Sequence, residues 1–250
     1  MEYNPFSNPF SLKGKTILVT GASSGIGRGI SIACSNMGGN IILGGRSESR
    51  LMETLNMMEC GNNSIAMADL TDMKVMSEMV SSLPKLDGVV HCAGVGLMLL
   101  CKQLTEKDLD DVMNANFKAP VMLQTEILKQ KKLNKGASVV FISSMGAESP
   151  KIGNAIYSAS KGAVLSYSYC LAKELAPRQI RVNCIQPAMV WTELIFKGGL
   201  TEEDLKLDEE RYPLKRYGKP EDIANLAVYL LSDASSWMTG SSVKITGGVR

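Results

Sequence analysis

The sequence predicts a single α/β domain built on a mainly parallel, doubly wound sheet of about seven strands flanked by helices. Three observations predict it. Seven short apolar runs alternate with amphipathic, helix-length segments at short spacing, the pattern of successive strand–helix–strand crossovers. No linker, internal repeat or low-complexity stretch interrupts them over 250 residues. A glycine-rich turn, Gly21 to Gly27, follows the first run at once.

Composition narrows the function classes. Hydrophobic residues make up 45%, enough for a large core, and the formal charge of +2 gives no electrostatic argument for nucleic acid. No apolar run approaches the length of a membrane span. The start, Met1-Glu2-Tyr3-Asn4-Pro5, lacks the basic and apolar regions of a signal peptide. A cytoplasmic protein with no nucleic-acid or membrane partner is therefore expected. Six cysteines lack paired metal-ligand spacing and there is one histidine, so no metal site is expected.

In chain order, residues 1–13 carry Asn4-Pro5-Phe6 and Asn8-Pro9-Phe10 and read as a loosely packed arm. Lys15 to Thr20 is a buried strand, and Arg28 to Met37 a helix stopped by Gly38-Gly39. Strand, glycine turn and helix suit a nucleotide pyrophosphate: glycines admit close backbone approach, and the helix N-terminus faces the charge. A merely tight connection is the plainer alternative. The second strand, Asn40 to Gly44, ends at Gly45-Arg46-Ser47. A site for NAD usually places a carboxylate here for the ribose 2′-hydroxyl. Its absence, with a guanidinium nearby, favours the 2′-phosphate of NADP, although an exposed arginine at a strand end is the simpler reading.

A helix over 48–58 leads to a third strand, Ser64 to Ala68, and then Asp69-Leu70. Asp69 suits an adenine amino group; equally, Asp69 or Thr71 caps the next helix, 72–81. The fourth strand, Asp87 to Cys92, ends at Ala93-Gly94, and His91 within it reads as a satisfied structural histidine. Thr105-Glu106-Lys107-Asp108 opens a helix toward Lys132. Asn116, Phe117 and Ala119-Pro120 predict a local break that frees a backbone carbonyl.

The central stretch follows. Ala137 to Ile142 is a strand delivering Ser143 and Ser144, and a helix runs from about Ala155 to Ala176. Tyr157 and Lys161 are four residues apart and share one face of it. An ammonium beside a phenol favours the phenolate and makes a usable acid or base. Ser144 can bond the same substrate oxygen. Taken alone, Tyr and Lys at this spacing more commonly form an ordinary surface pair. A sixth strand, Ile180 to Ile185, ends in Gln186-Pro187, and residues 193–213 read as a mobile flap or a plain surface excursion. A helix over 221–232 and a strand over 242–246 close the chain.

The combination Thr20-Gly21-Ala22-Ser23-Ser24-Gly25-Ile26-Gly27, Asp69, Ala93-Gly94, Asn116, Ser144 and Tyr157-x-x-x-Lys161 resembles the short-chain dehydrogenase/reductase family over roughly residues 11–248. The resemblance implies a Rossmann-type sheet of order 3-2-1-4-5-6-7, a nicotinamide cofactor and a homotetramer or dimer. It implies that Gly21, Ser23, Ser24, Gly25, Ile26 and Gly27 hold the pyrophosphate and nearby ribose, with Arg46 and Ser47 on the 2′-phosphate of NADP(H). It places Asp69 and Leu70 at adenine, Ala93 and Gly94 along the trough, and Pro187, Val190 and Thr192 near the carboxamide. Tyr157 is then the acid, Lys161 its tuner and a ribose ligand, Ser144 the carbonyl anchor, and Asn116 the support of a proton-returning water. The sequence departs from the family pattern in three places: His91-Cys92 for Asn-Asn, Ala188 for Gly, and Thr246 for Asp.

Within the family the closest resemblance is to the 3-oxoacyl-[acyl-carrier-protein] reductases, which implies a small-molecule or carrier-bound carbonyl substrate and basic carrier-docking residues at Lys135 and Arg178 near the site entrance. A reductase of a sugar, polyol or other small alcohol is the alternative. An idle NADP-binding regulator has no need of the complete Asn-Ser-Tyr-Lys set. Residues 189–215 are expected to close over substrate with Trp191, Leu194, Ile195 and Phe196.

Overall fold

The structure is a computed structural model that describes residues 8–58, 61–198 and 201–249. Asn4-Pro5-Phe6, Cys60 and Leu200 lie outside them. Strands β1 (Thr16–Thr20), β2 (Asn40–Gly45), β3 (Ser64–Met67), β4 (Leu86–His91), β5 (Leu133–Ile142), β6 (Arg181–Pro187) and β7 (Ser241–Ile245) form one parallel sheet. Its order is β3-β2-β1-β4-β5-β6-β7, as the resemblance implies. The helices are α1 (Gly25–Asn36), α2 (Glu48–Asn56), α3 (Met73–Ser82), α4 (Glu106–Met113), α5 (Ala119–Lys129), α6 (Ala155–Leu175), α7 (Glu202–Glu209) and α8 (Pro220–Leu231).

Side chains of a strand alternate between faces, and both faces are covered here. Leu18 and Val89 join α3, α5 and α6 on one side. Ile17, Val19 and Val90 join α1 and α8 on the other. Two cores thus clamp one sheet, and every strand points its C-terminal end toward the same edge. Ligands of such sheets bind beyond that edge, where the strand order reverses between β1 and β4.

Several elements differ from expectation. Strand β5 begins four residues early, at Leu133, which pairs with Leu86 before the register shifts and Gly88 pairs with Ser138. The intervening Asn134-Lys135-Gly136 is polar and carries a positive φ at Gly136, which hides the strand's start. The helix expected to break near Asn116 does not break. It widens into a π turn over Asn114–Lys118 between α4 and α5, where Pro120 has no N–H to give. Helix α3 is capped by Asp72, which accepts from the N–H groups of Lys74 and Val75, and not by Asp69 or Thr71. The described part of the arm is anchored at one side chain: Leu12 is fully buried and donates its N–H to Met37 O, and Pro9 O accepts from Ala234 N, while residues 8–10 are exposed.

Candidate active site

The glycine turn takes its shape from contacts that only glycine permits. Gly21 has φ +68° and approaches β4 so closely that a Cβ would stand 2.9 Å from Ala93 Cα. At Gly27 a Cβ would fall 2.2 Å from Gly21 O. Ser24 begins α1 with an extended backbone and makes no capping bond with its side chain, so its hydroxyl and the first helical amides remain available to an anion. Arg28, one turn in, donates to Ser23 O at 2.7 Å and to Thr54 Oγ1 at 3.0 Å, pinning the turn to α2. This residue was not singled out from the sequence.

At the end of β2, the Arg46 side chain is 71% exposed and lies 3.6 Å from Asp69 Oδ2. Asp69 accepts from Thr71 N and Thr71 Oγ1; these bonds, and then Arg46, hold its carboxyl below the usual range. Arg50, also overlooked in the sequence, faces the same cavity and pairs with Glu193 at 3.8 Å. Beyond β4, Thr20 Oγ1 accepts from Cys92 N at 3.0 Å and Ala93 N at 3.2 Å, and donates to Val90 O. That hydroxyl secures the strand end where relatives of the usual pattern carry Asn-Asn. Burial pushes the Cys92 thiol up to about 12, so it stays protonated.

His91 is structural but only half satisfied. Its Nε2 bonds Gln124 Oε1 at 3.0 Å, while Nδ1 and Gln124 Nε2 are buried with no partner. Burial lowers the ring to about 4, the Gln124 bond opposing the shift.

The chemical end is assembled by β5, α6 and the π turn. Ser143 ties β5 to its neighbours through Ile185 O and Lys161 O. Ser144 Oγ accepts from Gly146 N at 3.1 Å, which fixes the hydroxyl oxygen and leaves its proton free to be donated. A Cβ at Gly146 would meet Ser158 Oγ (3.2 Å), Ser144 Oγ (3.4 Å) and Tyr157 Cε1 (3.8 Å), so Gly146 keeps the Ser144 loop close against α6. Lys161 is buried; its Nζ donates to Ile142 O at 2.9 Å and lies 5.9 Å from the Tyr157 ring centroid. Gly94 faces the same ammonium: a Cβ there would be 3.5 Å from Lys161 Nζ.

A cavity of about 1160 Å³ runs along the strand ends and joins these groups. Gly21, Ser23, Ser24, Gly25, Ile26, Gly27, Arg46, Ser47, Asp69, Leu70, Ala93, Gly94, Ser144, Tyr157, Lys161, Pro187, Val190 and Thr192 all line it. Asn116 does not. It is buried behind the lining, bonded to both polar atoms of Val95 and to Ser160 Oγ. The cradle made by Gly21 and Gly27, the uncapped α1 terminus and the cavity's length fit a dinucleotide.

Residues 193–213 contain a 3₁₀ turn, Glu193–Gly198, and helix α7. Leu205, Tyr212 and Tyr217 form a small core beneath it with Trp191 and Ile195. Leu194 and Ile195 line the cavity, as expected of an apolar inner side. Trp191 and Phe196 are not among the lining residues: the Trp191 indole donates to Glu209 Oε1 at 2.7 Å and packs on Tyr217. Val249, distant in sequence, also reaches the cavity. Lys135 and Arg178 are a correction. Lys135 lies near the start of β5, and Arg178 donates to Leu133 O at that same end. Lys135 and Leu133 lie before the register shift, and the regular run from Ser138 to Ser144 alone spans roughly 20 Å, so within one chain neither stands at the site entrance.

Comparison with known proteins agrees with this geometry. The family described as Enoyl-(Acyl carrier protein) reductase matches residues 21–250. The 3-oxoacyl-[acyl-carrier-protein] reductase FabG of Rickettsia felis is 34% identical over 95% of this chain and 98% of its own length. An NAD-dependent glycerol dehydrogenase of Listeria innocua is 31% identical over 99% and 98%. The crystal structure of a short-chain dehydrogenase/reductase from Brucella melitensis, titled a glucose/ribitol dehydrogenase, superposes with a TM-score of 0.90 at 27% identity, covering 97% of this chain and 99% of that one. Strand order, glycine cradle and the Ser144–Tyr157–Lys161 cluster coincide with that relationship: the chain belongs to the short-chain dehydrogenase/reductase family of oxidoreductases.

Proposed function

We propose that the chain, as one domain, is an NADPH-dependent reductase of ketone carbonyls, with 3-oxoacyl thioesters as its substrate class. The observation that carries this reading is the Ser144 hydroxyl, whose oxygen accepts from Gly146 N, whose proton that bond does not use, and which lines the same cavity as Tyr157. Two O–H donors lining one cavity suit a carbonyl oxygen that gains charge as its carbon is reduced.

When bound, the nicotinamide cofactor supplies the hydride. Gly21, Ser23, Ser24, Gly25, Ile26 and Gly27 hold its pyrophosphate and nearby ribose, Arg46 and Ser47 its 2′-phosphate. Asp69 and Leu70 flank adenine, Ala93 and Gly94 line the trough, and Pro187, Val190 and Thr192 orient the carboxamide end. Ser144 donates a hydrogen bond to the substrate carbonyl oxygen. Tyr157 passes its phenolic proton to that oxygen, completing the alcohol. Lys161, with one N–H spent on Ile142 O, offers the others to the phenol side and the ribose. Asn116 supports the return of a proton from behind the site. The 2′-phosphate preference rests on the missing carboxylate at the end of β2. FabG of R. felis at 34% identity favours the acyl substrate. The glycerol dehydrogenase of L. innocua favours the second reading, a sugar or polyol substrate, with NAD. Assembly as a homotetramer, or failing that a dimer, belongs to the same proposal.

The test is a substrate panel followed by NADPH absorbance: a 3-oxoacyl thioester, an enoyl thioester, keto-sugars and simple diketones. The 3-oxoacyl thioester is expected to turn over fastest. Keto-sugars faster by about tenfold, a discrimination of about 1.4 kcal/mol, would replace this reading with the second.

A further inference from the structure

Ser144 begins a short loop whose far end is fastened by a chain of polar contacts from the neighbouring strands. The hydroxyl of Ser144 caps the 3₁₀ turn Met145–Ala147, and Ser144 O accepts from Ala147 N at 3.0 Å. Glu148 ends the turn, its N–H bonded to Met145 O. From β6, the fully buried Gln186 reaches this loop: its Nε2 donates to Glu148 Oε1 at 3.0 Å and, at a longer 3.4 Å, to Ser144 O. The Gln186 Oε1 accepts from Ser242 Oγ on β7 at 2.9 Å. Lys244, two residues further along β7, holds the other Glu148 oxygen at 2.6 Å. Lys244 and then Gln186 keep the Glu148 carboxyl below its usual range, so it is charged at neutral pH.

We propose that Gln186, Glu148 and Lys244 form a brace that positions Ser144, an inference resting on the role given to Ser144 above. A buried amide must satisfy its donors and acceptor, and Gln186 does so only with this loop and β7 in register. The turn is thereby held at both ends: by Ser144 at its start and by the Glu148 carboxylate at its finish. A hydroxyl that serves as a directed donor depends on such support, since a displacement of about 1 Å costs up to two orders of magnitude in rate. The three residues act through Ser144 and are positioning residues. Glu148 and Lys244 are half exposed, which lets them be changed without opening the core.

The experiment pairs Glu148→Ala with Glu148→Gln in wild-type and Ser144→Ala backgrounds, and measures hydrogen exchange over residues 145–149 in the protein without substrate. Glu148→Ala is expected to speed exchange there, to lower kcat for a 3-oxoacyl thioester by about tenfold with NADPH affinity unchanged, and to lower it less than about twofold when Ser144 is already alanine. Glu148→Gln keeps an acceptor for Gln186 and is expected to restore most of the loss. Unchanged exchange in Glu148→Ala overturns the brace whatever the substrate. Faster exchange with the same fold-loss in both backgrounds overturns its action through Ser144. If the wild-type protein turns over no 3-oxoacyl thioester but reduces another panel carbonyl, the functional reading fails, and the same cycle on that carbonyl decides the brace.

Discussion

Asn116 and Val95 exchange two hydrogen bonds, Val95 N–H to Asn116 Oδ1 at 2.7 Å and Asn116 Nδ2 to Val95 O at 2.9 Å. The second amide hydrogen goes to Ser160 Oγ, which donates in turn to Tyr157 O at 2.7 Å. One side chain thus couples the loop after β4 to the helix that carries Tyr157. Asn116→Ala leaves these groups unpaired and buried, and is expected to lower stability by about 2–4 kcal/mol. Urea denaturation measures it; a change below about 0.5 kcal/mol, typical of an uninvolved surface site, contradicts the clamp.

Cofactor choice follows from the end of β2. NADPH is expected to bind more tightly than NADH, and Arg46→Ala to shrink the difference by roughly 1–3 kcal/mol, the worth of a charged hydrogen bond. Titration of fluorescence with both cofactors measures it. Equal affinity of the unaltered protein for the two removes the preference.

His91 gives the fold a pH dependence. Its ring stacks on Phe141 at 4.5 Å and is lowered by burial to about 4, against 6.5 when free. The unfolded chain therefore takes up this proton first as pH falls. The stability that neutral His91 contributes is complete above pH 6.5 and declines toward pH 4, by about 3 kcal/mol in all. His91→Asn is expected to flatten denaturation midpoints measured between pH 7.5 and 4.5. An unaltered slope assigns the acid sensitivity elsewhere.

The sheet is legible because the core of each strand is a short apolar run, and the tight turn after β1 because glycine spacing is local. Elements without such a signature were missed. Helix α7 buries Leu205 alone among its eight residues, too little for a helical period to emerge from its acids. Val249 and Glu193 reach the cavity only through tertiary folding. Lys135 and Arg178 show only their basic character in the sequence; the polar, glycine-bent start of β5 hides that they lie at the end of the sheet away from Ser144. Arg28 and Arg50 do carry a signal: each lies in the first turn of a helix that begins at the C-terminal edge of the sheet.

The outer faces of α5 and α6 bear on assembly. A groove of about 320 Å³ lies between them, lined in part by Leu128 and Tyr167, and Tyr169 nearby is exposed. Closed symmetric assemblies bury apolar helix faces of this kind. Light scattering at micromolar concentration is expected to give a tetramer, or a dimer; a monomer mass contradicts this.

In the proposed reaction Tyr157 gives the proton. Tyr157→Phe keeps the ring and removes only the hydroxyl, so NADPH affinity is expected to persist while turnover falls by about 10²–10⁴. The most direct measurement is single-turnover NADPH oxidation by Tyr157→Phe with a 3-oxoacyl thioester that the unaltered protein reduces. A slowed chemical step at unchanged NADPH affinity is the predicted result, and a step as fast as that of the unaltered protein would make Tyr157 an ordinary residue of the α6 face.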